Sequence, residues 1–313
     1  MNGERPVFIP FVYGFAAKIE QITLEEMVSD AGYYTHSLED VYDLFKYGGV
    51  VNNFDSTIEA EIFGCEIEWS DDYAAPRVAD CSQVVWQEVN PEESHRTRVL
   101  LETTKRLVVS RGKDLAIIGV VTGPVSLVQI LTGDGSGNIA AAIPLAGNLL
   151  RKMVKSFCEL RVDAVFFRED IIGTGYHDAL LAHPAPYTAV YTTLFNLVRH
   201  YNNYPVLITR NFNLDSITDL HRMIGFTGLV LLGNKLDDDA MVFLQELSAS
   251  LKISLGLPLP VQNQDELNDR FAVISRSINN NKPTGFFYVS DGEIPGNMPA
   301  EALHNLLARM HDT

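Results

Sequence analysis

The chain has few positive charges and no long apolar run, and these two absences exclude two classes of protein. It has 24 Lys and Arg against 40 Asp and Glu, a net charge of −16, and no basic stripe of the kind that binds nucleic acid. No apolar run reaches the roughly 18 residues that a membrane-spanning helix needs. The nearest run, residues 139–150, is interrupted by Pro144. The sequence therefore predicts neither a nucleic-acid-binding protein nor a membrane protein.

Cysteine is also scarce. Cys65, Cys81 and Cys158 are odd in number, scattered, and not in C-x-x-C spacing. No signal peptide precedes the first residues, Met1-Asn2-Gly3-Glu4-Arg5. These features are typical of a reducing compartment, and they predict a cytoplasmic protein with reduced cysteines.

What the chain does have is a rhythm of eight short apolar runs, each followed by a helical pattern. Continuous runs of Val, Ile, Leu and Phe are typical of parallel strands that are buried on both faces. Eight strand–helix units in 313 residues match the count and size of a (β/α)8 TIM barrel. The runs are PVFIPFVYG from Pro6, GGVVNNFD from Gly48, LAIIGVVTG from Leu115, DAVFFRED from Asp163, PVLITRN from Pro205, GLVLLGN from Gly228, ISLGLPLP from Ile253 and GFFYVSDG from Gly285.

The predicted barrel is a single domain over residues 1–313, because barrels of this length are seldom divided. The stretch at about 70–90, after the second unit, has no helical period and is predicted to be an excursion with a short hairpin. Thr23 is predicted to cap the first helix. GDGSGN, from Gly133, is the strongest loop signal, but it follows a helix and so only weakly indicates phosphate binding.

The active site of such a barrel lies at the carboxyl ends of its strands, here called the mouth. Side chains at the mouth can bind substrate, and an acid there can transfer a proton. Polar residues lie at the ends of six of the eight predicted strands. The predicted site residues at these positions are Asn52, Asp55, Thr122, Arg168, Glu169, Arg210, Asn211, Asn234 and Asp291.

Each of these residues also has a structural interpretation. Asp55 either acts on substrate or caps the helix that begins at Ser56. Arg168 and Arg210, at the ends of the fourth and fifth predicted strands, either bind a carboxylate or phosphate or neutralise Glu169, Asp170 or Asp291.

The loop after the fourth predicted strand holds further candidates for proton transfer. Glu169 and Asp170 form an acidic pair there, of which one member can orient Arg210 and the other can cap a helix. His177 and His183 follow, on the side of the mouth, and histidine titrates near neutral pH. The catalytic candidates are therefore Asp55, Glu169 and His177, while a surface position is the alternative for either histidine.

Four segments, in order along the chain, resemble the uroporphyrinogen decarboxylase superfamily. FDSTIEAEIFGCEIEW, from Phe54, is similar to the segment after the second strand, most of all in the corrinoid-dependent methyltransferases of the cobalamin:coenzyme M type. The resemblance implies a (β/α)8 barrel, with decarboxylation or methyl transfer as its chemistry and Asp55 as a site residue. The other segments are TGPVSLVQILTGDG from Thr122, LGLPLP from Leu255 and SDGEIPGNMPAEALHNLL from Ser290.

The chain departs from both branches of that superfamily. The methyltransferases hold zinc through a His-x-Cys at the end of strand five and a cysteine at the end of strand eight. The corresponding positions here are Leu207, Thr209 and Asp291, which cannot form a tetrahedral N/S site, so zinc is not expected. The arginine-rich segment of the decarboxylases is replaced by YGFAAKIEQ, from Tyr13, in which only Lys18 is positive.

Three functions remain open. The first is methyl transfer without the family zinc, with a corrinoid (cobalamin) as methyl donor or acceptor. The second is a metal-free decarboxylase or lyase that acts on a small carboxylated substrate held by Arg168 or Arg210. The third is a non-catalytic subunit that keeps the barrel and binds a partner enzyme, since one fold serves many functions. The expected partners are a small-molecule substrate, a corrinoid protein and a second copy of the chain.

Overall fold

The computed structural model describes residues 7–133, 139–170, 175–280 and 285–311. All eight predicted strands are present, and together they form one sheet of eight parallel strands with helices between them. Each barrel strand lies within one of the apolar runs of the sequence or extends beyond it by one residue, so the prediction of a TIM barrel is confirmed. The strands are β1 (Phe8–Phe11), β2 (Gly49–Val51), β5 (Ala116–Thr122), β6 (Ala164–Arg168), β7 (Tyr204–Arg210), β8 (Gly228–Leu232), β9 (Ser254–Leu259) and β10 (Phe286–Glu293).

The strand order is β1-β10-β9-β8-β7-β6-β5-β2, which is the order of a barrel opened between its first two strands. The N–H of Gly48 donates to the carbonyl of Phe8 over 2.9 Å across that opening, so the barrel is nearly closed. Because all strands run the same way, their carboxyl ends meet at one mouth.

The register of the strands tells which side chains face the barrel interior. Phe166 of β6 and Phe287 of β10 lie on strands that are not neighbours, yet their ring centroids are 6.1 Å apart, so both point inward. Phe167 instead packs on Phe195 of an outer helix, with centroids 5.0 Å apart. Residues paired across neighbouring parallel strands face the same side of the sheet, and the side alternates along each strand.

Thirteen α-helices lie within the part of the chain that the structure describes. Thr23 caps a helix as predicted, but this helix is the second one, α2, and not the first: the Thr23 hydroxyl accepts from the N–H of Glu26, whose carboxylate accepts from the N–H of Thr23. The helices are α1 (Tyr13–Ile19), α2 (Leu24–Ser29), α3 (Ala31–Phe45), α4 (Ile58–Ile62), α5 (His95–Arg111), α6 (Pro124–Thr132), α7 (Ile139–Glu159), α8 (Tyr176–Ala182), α9 (Pro184–His200), α10 (Ile217–Ile224), α11 (Asp238–Leu251), α12 (Gln264–Asn280) and α13 (Ala300–His311).

The stretch expected to interrupt the strand–helix rhythm contains a hairpin. Strands β3 (Glu66–Glu68) and β4 (Arg77–Asp80) pair antiparallel. A disulfide joins Cys65, just before β3, to Cys81, just after β4, whereas Cys158 is free and buried. The expectation of reduced cysteines is therefore wrong for this pair, because the hairpin brings together two residues that are 16 positions apart.

Two further findings concern segments singled out in the sequence. Apart from Gly133, the GDGSGN loop lies outside the described residues. Within those residues, none of the helices has both the length and the apolar character needed to cross a bilayer.

Candidate active site

Asp55 lies at the mouth, after β2, and its side chain is completely enclosed by an ion pair and hydrogen bonds. One carboxylate oxygen accepts from the backbone N–H and the hydroxyl of Thr57, both at 2.7 Å. The other forms an ion pair with Arg96 of α5 and lies 3.5 Å from the hydroxyl of Tyr13. Asp55 therefore lies at the mouth and supports the turn into α4, but it is not the N-cap of that helix, which begins at Ile58 after Thr57. Its predicted action on substrate stays a prediction.

Arg96 was not among the predicted site residues, although it contacts Asp55 at the mouth. Its guanidinium also contacts Glu61 at 2.9 Å and lies over the ring of Trp69, 5.3 Å from the centroid. Only 10% of its side chain is exposed. A cation this buried needs its carboxylate partners, so Arg96 and Asp55 hold each other in place.

Glu59, on the same short helix as Glu61, connects α4 to the end of β5 beneath the mouth. It is fully buried and accepts from the N–H of Thr122 at 3.0 Å and from its hydroxyl at 2.8 Å. Burial raises the pKa of Glu59 to about 7, even though both hydrogen bonds from Thr122 lower it. The N–H and hydroxyl of Thr122 are therefore both used as donors to Glu59. The predicted contact of Thr122 with substrate stays a prediction.

The side chain of Asn52 also makes its hydrogen bonds within the protein. Its amide donates to the hydroxyl of Thr104 at 2.8 Å, and its side-chain oxygen accepts from the N–H of Val120 at 3.0 Å. Its backbone carbonyl accepts from the hydroxyl of Tyr34. The side chain thus joins β2 to β5 and α5 and is fully buried.

Arg168, which points inward from the end of β6, is satisfied within the protein. It forms two hydrogen bonds to the Asp170 carboxylate, at 3.0 and 3.1 Å, and one to the carbonyl of Phe54 at 2.6 Å. Its guanidinium also lies over the Phe54 ring, 3.6 Å from the centroid. Of the two interpretations of Arg168, internal neutralisation describes these contacts, and the partner is Asp170.

Arg210 differs from Arg168. It ends β7, pairs with Leu232 of β8, and points inward because it shares a face with Ile208 and with Phe166. Its guanidinium lies beside Gly292 of β10. Among the residues that the structure describes, it has no ion pair and no side-chain hydrogen bond. A half-buried guanidinium without a carboxylate partner is suited to bind an anion.

The three remaining residues predicted near Arg210 support the loops of the mouth. Asn211 has a left-handed φ of 49° and is exposed. Asn234 accepts from the N–H of Phe212 at 3.0 Å and donates to its carbonyl at 2.7 Å, which fixes the turn after β7. Asp291 accepts from the N–H of Gly233 at 2.7 Å and thus pairs with backbone.

Glu169 lies behind the mouth and is fully buried. Its carboxylate accepts from the N–H groups of Val125 and Ser126, at 3.1 and 2.8 Å, in the first turn of α6. The hydroxyl of Tyr191 also donates to it, and the hydroxyl of Tyr176 lies 3.3 Å from that of Tyr191. Burial raises the pKa of Glu169 to about 7. The contacts are those of a helix-capping acid, and a catalytic role for it stays a prediction.

Glu293 lines a cavity beside the mouth, as does Asp71. It ends β10 and accepts from the N–H of Gly14 at 2.8 Å. The cavity, of about 350 Å³, has Asp71, Tyr73 and Ala74 on one side and residues 293 and 295–297 on the other. Burial raises the pKa of Glu293 to about 7, against the opposing effect of the Arg168 charge. Glu293 can therefore give or take a proton at neutral pH.

The two candidate histidines lie in helical surroundings. His177 is in α8 and not in a loop, and its ring meets that of Phe212 edge-on at 5.7 Å. His183 lies between α8 and α9. Both are half-buried. The segment before them, residues 171–174, lies outside the described residues, and the predicted role of His177 stays a prediction.

The residues at this strand end do not fit a zinc ion. Leu207 and Thr209 face outward, on the same side of the sheet as Phe167 of β6. Because neither side chain points into the barrel, the identity of these two residues says nothing about zinc binding at the mouth. The interior positions of the same strand end are Ile208 and Arg210, neither of which is a zinc ligand. Asp291, in β10, offers a single carboxylate. One carboxylate cannot replace the N/S set of a tetrahedral site.

One group elsewhere has the residue types of a metal site. The ligand atoms of Glu20, His36 and Asp40 lie within 4.8 Å of one another. The His36 ring nitrogen is 3.4 Å from Asp40 and 3.7 Å from Glu20, and its side chain is largely exposed. Within the residues described, this is the one group of three such ligands. It lies on α3 and after α1, and none of the predicted site residues belongs to it.

Sequence reasoning missed four side chains of the mouth: Tyr13, Glu59, Arg96 and Glu293. Glu59 was within reach, since it lies in the quoted TIEAE segment two residues after Thr57. Glu293 lies in the segment from Ser290 and Tyr13 begins YGFAAKIEQ, so both were also within reach, whereas Arg96 had no local signal. Arg96 is 41 residues from the Asp55 that it contacts, and only the closed barrel brings them together.

Comparison with known proteins agrees with this architecture. The family model "Uroporphyrinogen decarboxylase (URO-D)" matches residues 1–165, just over half of the chain. The matched part includes β1, β2, Asp55 and Arg96. The chain belongs to the uroporphyrinogen decarboxylase family.

Within that family, the similar curated proteins are methyltransferases. The methylcobamide:CoM methyltransferases MtbA of Methanosarcina acetivorans and Methanosarcina mazei are 29% and 28% identical to the chain over 127 residues. Each match spans 36% of this chain and 38% of the relative, so well under two thirds of the relatives' length is covered.

Solved structures show the same fold along nearly the whole chain. A methyltransferase from Methanosarcina mazei superposes with a TM-score of 0.73 at 15% identity, over 98% of this chain and 94% of that one. A B12-independent methionine synthase from Shewanella sp. W3-18-1 has a TM-score of 0.58 at 12% identity, over 92% and 87%.

Proposed function

We propose that this protein is a methyltransferase that moves a methyl group between a corrinoid and a small thiol. The support is the segment from Asp55 to Glu61, which resembles the corrinoid branch of the family and lies at the mouth. The similarity to the MtbA enzymes, although limited to 127 residues, concerns the same branch. The corrinoid is a substrate in this proposal, carried by a partner protein, and the chain supplies the site.

The single observation that carries the proposal is the environment of Asp55. This carboxylate is almost fully buried at the mouth, and Arg96, Thr57 and Tyr13 fix both of its oxygens. A charge held in one position can stabilise charge that develops in a transition state without reorganisation. We propose that Asp55 orients the donor and acceptor in this way.

Transfer of a methyl group to a thiol releases a proton, which needs an acceptor. The carbon–cobalt bond breaks, the carbon–sulfur bond forms, and the thiol proton leaves. We propose that Glu293 receives this proton, since it lines a cavity and its pKa of about 7 suits proton transfer near neutral pH. This assignment does not need a metal-bound thiolate.

Arg210 is proposed to bind the anionic end of the small substrate. It points inward at the mouth, and it has no anionic partner among the described residues. A guanidinium can make two parallel hydrogen bonds to one carboxylate or sulfonate. The substrate is thereby expected to carry one such group.

The direct test mixes the purified protein with free methylcobalamin and coenzyme M under anaerobic conditions. Formation of cob(I)alamin and of the methylated thiol, measured by absorbance and mass spectrometry, would support the proposal. Glu293→Gln should lower the rate about 10²-fold and remove the rise of rate with pH near 7. If the parent protein gives no methylated thiol with either free or protein-bound corrinoid, methyl transfer to this thiol is excluded.

The unpaired Arg210 also favours a second candidate, a decarboxylase or lyase on a small carboxylated substrate. In that reaction Arg210 would bind a carboxylate, and Glu293 would protonate the carbanion left after loss of carbon dioxide. Release of carbon dioxide from a panel of small carboxylic acids, without added corrinoid, would favour this candidate over methyl transfer. The predicted cytoplasmic location and homodimer stay predictions.

A further inference from the structure

A segment of the excursion lies against two corners of the mouth, and a disulfide closes the hairpin that carries it. Residues 69–76, here called the strap, connect β3 to β4. The Cys65–Cys81 disulfide joins the ends of β3 and β4 that are farther from the strap. An ion pair between Glu68 and Arg77, at 2.8 Å, joins the ends that are next to the strap. Both ends of the strap are thus fixed to each other.

The strap packs on the two elements that flank Glu293. The Tyr73 carbonyl lies so close to Gly14 that an added Cβ there would be 1.7 Å from it, and a Cβ on Gly296 would be 2.5 Å from the Tyr73 side chain. The Lys18 ammonium lies over the Tyr73 ring, 5.0 Å from the centroid. Only glycine at both positions allows this approach.

The strap also reaches the Asp55 corner of the mouth. Trp69, at its start, covers the guanidinium of Arg96, and the carbonyl of Asp72 accepts from the N–H of Leu24 at 2.6 Å. Its residues 71, 73 and 74 form one wall of the cavity that Glu293 lines. A change in the position of the strap would therefore change the shape of this cavity.

We propose that Cys65 and Cys81 are a redox-active pair, and that their oxidation state controls how firmly the strap covers the mouth. The disulfide lowers the number of open conformations available to a hairpin of this length. With two thiols in its place, the strap keeps the contacts of Tyr73, Asp72 and Trp69, the β3–β4 pairing and the exposed Glu68–Arg77 ion pair. Such an exposed pair contributes little, so the reduced strap opens more often.

The chemistry is thiol–disulfide exchange with a dithiol reductant. One thiolate of the reductant attacks a sulfur of the pair, and Cys81, which is less buried than Cys65, is the accessible one. A mixed disulfide forms and the Cys65 thiolate leaves. The second thiol of the reductant then displaces Cys81. The protein gains two electrons and two protons, and the reductant becomes a disulfide.

The proposal is tested first by counting thiols. Under denaturing conditions, the protein purified without reductant should show one thiol per chain, which is Cys158, and three after treatment with dithiothreitol. Three thiols without reductant would overturn the proposal, since the pair would then not form.

Strap opening is measured by hydrogen exchange in the full chain with and without dithiothreitol. Amides of residues 66–80 should exchange about tenfold faster after reduction, while those of α5 keep their rate, because only local opening changes. In a Trp86→Phe background, acrylamide should quench Trp69 more strongly after reduction. Equal exchange and equal quenching in both redox states would overturn the proposal.

Two variants complete the test. Cys81→Ser should exchange like the reduced protein in the absence of reductant, and dithiothreitol should then change nothing. Cys158→Ala, the matched control, should respond to dithiothreitol as the parent does. None of these measurements requires methyl transfer, so they hold or fail independently of the proposed reaction.

Discussion

At the scale of single residues, Asp55 and Arg96 decide the character of the mouth. An aspartate that only caps a helix can be replaced by asparagine at little cost, because asparagine caps nearly as well. The structure shows Asp55 in a buried ion pair instead, and a buried charge that loses its partner is strongly destabilising. The two roles therefore lead to different expectations for the same substitution.

Asp55→Asn is expected to lower the free energy of unfolding by about 3 kcal/mol, because Arg96 loses its most buried partner. Glu61→Gln is the matched control, since Glu61 contacts the same guanidinium but is 36% exposed, and it should cost less than about 1 kcal/mol. Urea unfolding of both variants measures the difference. If both variants lose the same small amount of free energy of unfolding, Asp55 contributes no more to stability than a residue that only caps a helix.

Arg210 and Arg168 offer a second matched pair, because both point inward at the mouth but only Arg168 has a carboxylate partner. Arg210→Lys should leave the melting temperature nearly unchanged and weaken the binding of coenzyme M about tenfold, since an ammonium cannot make the two-pronged contact. Arg168→Lys should instead lower the melting temperature. Calorimetric titration and thermal melts separate the two effects. Unchanged affinity in Arg210→Lys would remove Arg210 from the site.

At the scale of elements, the strands were predictable and the contacts between distant elements were not. Runs such as LAIIGVVTG and PVLITRN identify β5 and β7 because a doubly buried strand needs continuous apolar residues. Which face each residue takes is not given by such runs, and a shift of one position reverses it. Leu207 and Thr209 were thus compared with inward-facing ligands although they face outward.

The hairpin of the excursion is a similar case. Its position followed from the lack of a helical period between residues 70 and 90, but its pairing did not, because nothing local indicates that Cys65 meets Cys81. Long-range pairs of this kind, like Asp55 with Arg96, depend on where the whole barrel places the segments. Site residues at strand ends could be predicted, and their partners on helices could not.

The cap of α2 gives a prediction at this scale. Thr23 and Glu26 exchange two hydrogen bonds at the start of the helix, at 3.1 and 2.8 Å. Thr23→Ala should lower the free energy of unfolding by about 1 kcal/mol, as is typical for the loss of a cap. Thr193→Ala, in the middle of α9 and exposed, is the control and should change stability less. Urea unfolding measures both.

At the scale of the whole molecule, two acids are buried close to the mouth. Glu59 and Glu169 are fully enclosed, and burial raises the pKa of each to about 7 from a usual value of 4.5. Each accepts hydrogen bonds from backbone N–H groups, which offset part of the cost of burial. In the unfolded chain both groups ionise near their usual value, so folding and proton binding are coupled.

The sign of that coupling predicts how stability changes with pH. Between pH 4.5 and about 7 the folded protein holds protons on Glu59 and Glu169 that the unfolded chain has lost. Their contribution is therefore complete below pH 4.5 and disappears as the pH rises through 7, by up to roughly 1.4 kcal/mol per pH unit for each group. Glu59→Gln removes one titrating group, so the loss of stability from pH 5 to 8 should be smaller in the variant than in the parent. Urea unfolding at pH 5, 6, 7 and 8 gives both curves, and Glu25→Gln, an exposed substitution in the first turn of α2, should follow the parent. Parallel curves for Glu59→Gln and the parent would mean that Glu59 titrates alike in the folded and unfolded chain.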